Sequence, residues 1–235
     1  DMRVLGDAAD DNSGRAVARG DVNGDGYVDI IIGASEAEPG YRDAAGETYV
    51  IFGASSPPSE IDLSTTSADI TVCGAAYWDY SGWAVASGDV NGDGYDDIII
   101  GAYEAAPGGR YQAGETYVIF GEAFTPPITI DLSTDSADIT IYGPAANSLF
   151  GWAVSSGDVS GDGYADIIIG AWISDPGERL YAGKTYVIFG SGFSEPPYTI
   201  DLLNTSADIT VCGDDAADLC GWAVASGDIN GDEYD

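Results

Sequence analysis

The chain has 235 residues, of which 45% are hydrophobic, with 40 acidic residues against 7 basic ones, no histidine and a formal net charge of −33. That apolar content is enough to bury a core, and the charge excludes nucleic acid and disfavours an anionic membrane surface, because both need a basic face. The lack of histidine removes imidazole general-base chemistry and most catalytic zinc sites, while paired carboxylates keep a glycosidase-type hydrolase open.

In chain order, the first run is Asp1-Met2-Arg3-Val4-Leu5, which aligns with residues 208–212 and reads as the last strand of a preceding unit. Then comes a marker, GDVNGDGY from Gly20, that returns from Gly88, as GDVSGDGY from Gly157 and as GDINGDEY from Gly227. Its first aspartates, Asp21, Asp89, Asp158 and Asp228, are 68, 69 and 70 residues apart, a repeat period of the size found in solenoids and propellers.

Each marker is followed by DIIIG (from Asp29, Asp97 and Asp166), then by TYVIFG behind Glu47, Glu115 or Lys184. A Pro-Pro linker (Pro57, Pro126, Pro196) leads to IDL (Ile61, Ile130, Ile200) and ADIT (Ala68, Ala137, Ala207), and GWAV (Gly82, Gly151, Gly221) closes the period. Short runs rich in Ile, Val, Thr and Tyr, bounded by Gly, Asp and Pro, predict strands. The triple Ile and the YVIF runs lack alternation, so both of their faces should be buried. The small residues of GWAVASG suit a strand crowded against an axis. Four antiparallel strands per period make a propeller blade. The expected fold is an all-β propeller of about three and a half repeats, divided into 1–20 (end of a preceding repeat plus a first inner strand), 21–88, 89–157, 158–227 and 228–235 (a truncated fourth repeat).

The order GWAVASGD, VNGDGYDD, IIIGA, AGETYVIFG, ADITVCG resembles the FG-GAP repeat of integrin alpha-type propellers and of bacterial and archaeal surface proteins. The naming Phe-Gly survives as Phe150-Gly151 and becomes Ser13-Gly14, Ser81-Gly82 and Cys220-Gly221 elsewhere.

In the marker loops, oxygen side chains stand at positions 1, 3, 5 and 9: Asp21, Asn23, Asp25, Asp29; Asp89, Asn91, Asp93, Asp97; and Asp158, Ser160, Asp162, Asp166. Glycines at positions 4 and 6 let the chain curl, and the carbonyls of Tyr27, Tyr95 and Tyr164 would add a ligand, giving an all-oxygen cage of the kind Ca²⁺ favours. An EF-hand would need Glu at position 12, where Ile32, Ile100 and Ile169 stand. Three calcium sites are expected, the third weakest because Ser160 offers a hydroxyl in place of an amide carbonyl. A partial fourth holds Asp228, Asn230 and Asp232, with Glu233 replacing the glycine.

Cys212 and Cys220 are spaced to allow a disulfide, two buried thiols being the other reading; Cys73 aligns with Cys212 and, facing Ser81, should stay unbridged within the chain, as a buried free thiol or an intermolecular one. Asn204-Thr205-Ser206 is a glycosylation sequon. The tryptophans Trp83, Trp152 and Trp222 are expected to pack between sheets, and the repeated Asp62, Asp131 and Asp201 to stabilise turns.

The function expected is an extracellular or cell-surface, calcium-stabilised structural or adhesive module, not an enzyme, meeting a protein or glycan ligand or associating with itself through open blade edges, without membrane insertion. The alternatives are a subunit of a fibre-forming surface polymer and a carboxylate-dependent hydrolase of glycans or phosphate esters. A longer native polypeptide, or copies joined edge to edge, is expected to cover the outermost strands.

Overall fold

The computed structural model describes residues 2–228. Among them are sixteen strands and no α-helix. The first sheet contains β2 (Ser13–Gly20), β3 (Asp29–Ala34), β4 (Glu47–Ile51) and β6 (Ile70–Cys73), preceded by β1 (Arg3–Leu5) and interrupted by β5 (Glu60–Asp62). The second contains β7 (Ala84–Gly88), β8 (Asp97–Ala102), β9 (Glu115–Ile119) and β11 (Ile139–Tyr142), with β10 (Ile128–Asp131) between the last two in sequence. The third contains β12 (Ala153–Gly157), β13 (Asp166–Ala171), β14 (Lys184–Ile188) and β16 (Ile209–Cys212), with β15 (Tyr198–Asp201) placed likewise. Within each sheet these four strands are antiparallel, so the chain is all-β with propeller-type blades.

The IDL run adds a strand that the four-strand blade did not include. β10 pairs parallel with β6 of the preceding blade, β15 with β11 and β5 with β1. After its third strand the chain crosses back through the Pro-Pro linker and covers the outer edge of its neighbour, pairing backbone groups that would otherwise be exposed. The match of β1–β5 to the other two pairs gives β1 the place of a fourth strand, as its alignment predicts. Each built blade therefore begins with the inner strand ahead of the marker loop.

The core lies between the sheets. β8 and β13 are buried along their whole length, as the unbroken apolar run predicts, and Ile31, Ile98, Ile99, Ile100, Ile167 and Ile169 are at most 1% exposed. Burial of each such side chain is worth about 1.5–3 kcal/mol. The inner strands meet around the axis, where Ser87 Oγ donates to the Arg19 carbonyl at 2.5 Å, Ser156 Oγ to Ser87 at 2.5 Å and Ser226 Oγ to Ser156 at 2.6 Å. Blades also touch backbone to backbone: a Cβ on Gly33 would lie 1.9 Å from the Gly82 carbonyl oxygen, and Gly82 itself has φ +84°. Glycine is required on both sides of that contact.

The cysteines are all free. Cys212 and Cys220 stand near each other as free thiols, Cys212 exposed opposite Lys184 and Cys220 beside Gly183 with its Sγ 3.6 Å from Thr185 Oγ1. Cys73 is the buried thiol expected; burial first, then Glu47, pushes it up to about 12.

Candidate metal-binding loops

Each marker loop joins the first two strands of a blade and is wound by its own carboxylates. In the first loop Asp21 accepts the N–H groups of Asp25 (3.0 Å) and Gly26 (2.9 Å), Asn23 Oδ1 accepts Asp25 N–H (2.9 Å), and Asp25 accepts Tyr27 N–H (2.9 Å). The second loop repeats this through Asp89, Asn91 and Asp93. In the third, Asp158 and Asp162 keep their bonds, but Ser160 makes none equivalent to that of Asn91. The serine is too short to copy the amide, which is the same chemical deficit that weakens it as a ligand.

Position 9 is different in kind. Asp29, Asp97 and Asp166 are fully buried. Asp29 accepts Val22 N–H and Gly53 N–H, both at 2.8 Å, and Asp97 accepts Val90 N–H (2.8 Å) and Gly121 N–H (2.9 Å). Asp166 accepts Ser160 N–H (2.8 Å) and Gly190 N–H (2.9 Å). These carboxylates fasten the loop to the exit of the third strand. Burial, followed by the charges of Asp93 and Asp89, lifts Asp97 to about 7, and burial raises Asp29 and Asp166 too.

The tyrosines at position 7 also act through their rings. A Cβ on Gly24 would lie 2.4 Å from the Tyr95 ring, and one on Gly92 would lie 2.3 Å from Tyr164, so the first and second loops each carry the ring of the next. Asp96 strengthens the junction by accepting Asp21 N–H at 2.8 Å.

The donors are all oxygens, a set suited to a hard cation, and each carboxylate oxygen bound to one N–H keeps a lone pair. Among the described residues, no three Asp, Glu, His or Cys side chains converge tightly enough to cage a metal. Asn230 and Asp232 of the partial fourth site lie outside the described residues. Asn204 is exposed, and its Nδ2 donates to Asp201 at 3.1 Å.

Residues 13–51, 81–119 and 150–188 match the FG-GAP repeat. The chain belongs to the FG-GAP repeat family. It is 34% identical over 152 residues to a bovine phosphatidylinositol-glycan-specific phospholipase D, covering 64% of this chain and 17% of the relative. It is 31% identical over 189 residues to integrin alpha pat-2 of Caenorhabditis briggsae (76% and 15%) and 33% identical over 172 residues to integrin alpha-PS2 of Drosophila melanogaster (69% and 12%). The chain thus spans less than a fifth of these relatives. In this FG-GAP chain the glycines of the Phe-Gly positions form the inter-blade contact with the glycines of the DIIIG runs: Gly82 meets Gly33, Gly151 meets Gly101 and Gly221 meets Gly170.

Sequence reasoning missed an arginine clasp. Arg42 Nη2 lies 2.6 Å from Asp131 Oδ1 and donates to the Gly74 carbonyl, and Arg110 Nη2 lies 2.8 Å from Asp201 Oδ1, tying a blade to the strand that covers its edge. Burial pulls Asp131 up, but Ser133 and Arg42 outweigh it and hold its carboxyl below the usual range. The turn role expected of these aspartates holds as well, since Ser133 N–H donates to Asp131 at 3.0 Å. The tryptophans do pack blade on blade, Trp83 to Trp152 at 4.8 Å and Trp152 to Trp222 at 5.2 Å, with Trp83 and Trp152 half-buried and Trp222 51% exposed.

Proposed function

We propose that this FG-GAP chain is an extracellular or cell-surface, calcium-stabilised propeller module with a structural or adhesive role, and that it is not an enzyme. The observation that supports this most is the repeated loop template: three loops concentrate carboxylates at the same positions, and in each a buried position-9 aspartate is raised by burial and by its loop mates. A divalent cation placed there would relieve that repulsion. Asp21, Asn23, Asp25 and the Tyr27 carbonyl would hold it in the first loop, their counterparts would do so in the others, and the position-9 carboxylates would add a further oxygen.

The cation would supply rigidity, not chemistry. Because the first and second loops carry the ring of the next, a pinned loop stiffens the junction between blades, and the opposite loops are then presented firmly to a protein or glycan. The acidic residues occur at repeated positions, whereas a catalytic pair would break the repeat; this supports a non-enzymatic role. Calorimetric titration with calcium should count three sites, and a screen against polysaccharides and phosphate esters should find no turnover. Absence of binding would reject the calcium reading, and turnover abolished by a carboxylate substitution would reject the structural one.

A further inference from the structure

The same inter-blade cavity occurs in two repeats, strongly acidic in one and formally neutral in the other. Between β1 and the first blade, a cavity of about 500 Å³ is lined by seven carboxylates, Asp11 and Glu47 among them. Between the second and third blades, its counterpart of about 560 Å³ has one carboxylate, Asp175, and the chain's single lysine, Lys184. Lys184 stands where Glu47 and Glu115 stand in the earlier repeats.

The exchange leaves polar groups without partners. Tyr49 donates its hydroxyl to Glu47 at 2.5 Å and Tyr117 donates to Glu115 at 2.6 Å. Tyr186, the third in the series, has lost that acceptor: it is 5% exposed, lines the cavity, and its hydroxyl has no partner of ordinary hydrogen-bond geometry, only a weaker contact with Ser174. Ser174 Oγ, in a residue 8% exposed on the same wall, also lacks a bond of ordinary geometry, although it lies near enough to Tyr186 to influence its phenol. Lys184 forms no ion pair among the described residues. Buried hydroxyls without partners are costly, and a ligand that engages them recovers that cost.

We propose that this cavity binds a carboxylate-bearing polyol, a hexuronate sugar unit, with the Lys184 ammonium on the carboxylate and the Ser174 and Tyr186 hydroxyls hydrogen-bonding the sugar. A single ammonium beside Asp175 suits a monoanion; a phosphate dianion would call for further cations. Gln112 and Asn147, also on the wall, carry amides that can both donate to and accept from sugar hydroxyls. The volume falls within the range of small-ligand sites. The inference names a glycan class for the module proposed above, and it uses none of the calcium-loop residues.

The test is an NMR titration of the whole chain, in calcium, with glucuronate, glucose and inorganic phosphate. Glucuronate should bind at least ~10-fold more tightly than either competitor, a gap of about 1.4 kcal/mol. Lys184→Glu should lose that preference while keeping its melting temperature, since glutamate restores the acceptor that Tyr49 and Tyr117 already have. Lys184→Met provides a second variant should the glutamate perturb folding. Equal binding of glucose and glucuronate, tighter binding of phosphate, unchanged affinity in both lysine variants, or no binding at all would each overturn the proposal. Chelator-sensitive melting without glucuronate binding would count against this cavity alone.

Discussion

Gly121 N–H donates to Asp97 Oδ1 at 2.9 Å, joining the second marker loop to the end of the strand two places along its blade. The carboxylate is fully buried and serves two backbone donors, so its removal leaves Gly121 and Val90 N–H groups without partners. Asp97→Ala should cost about 3 kcal/mol even with chelator present. Asp93→Ala, whose carboxylate is exposed in the loop, should cost little in chelator and much in calcium. Urea denaturation of both variants in each condition separates the structural from the ligating role; identical behaviour would merge them.

Within the loops, Asp93→Ala should be more damaging to calcium affinity than Ser160→Ala, because it removes a charged donor from a loop in which Asn91 is also engaged. Calorimetry should register one site lost for the aspartate variant. Equal affinities of the second and third loops in the parent chain would contradict the ranking.

Asp79 is 7% exposed, and burial, followed by the charge of Glu115, raises it to about 7. A raised carboxyl favours the folded state below its unfolded value near ~4, and that contribution is lost as pH rises through about 7. Asp79→Asn should therefore be more stable than the parent at pH above that value, by on the order of 2 kcal/mol, with the difference vanishing in acid. Melting temperatures across the range check the sign; a difference that grows on acidification would refute it.

For the arginine clasp, a double-mutant cycle on Arg42 and Asp131 should give a coupling of about 1 kcal/mol, since the arginine side chain is only 14% exposed. The same cycle on Arg3 and Glu60, 67% and 48% exposed, should give none that is measurable. Equal couplings would show that burial does not govern these pairs.

The antiparallel strands of the blades, their order and the loop residues were legible in the sequence because each is written three times at one spacing. The covering strands β5, β10 and β15 were not: an IDL run is too short to declare a period, and its partner lies in another repeat. Arg42, Arg110 and Arg179 recur 68 and 69 residues apart, a signal that was present in the sequence but carried no known motif. The tryptophans keep the register of the blades, and that register brings their rings together from one blade to the next.

The most direct test of the calcium account is the melting temperature of the chain in calcium and after chelation. If each site has a dissociation constant near ~0.1 mM, free calcium at ~100 times that value adds about 2.7 kcal/mol per site. A large fall in melting temperature in EGTA, reversed by restoring calcium, is predicted; superimposable melting curves in the two conditions would contradict the account.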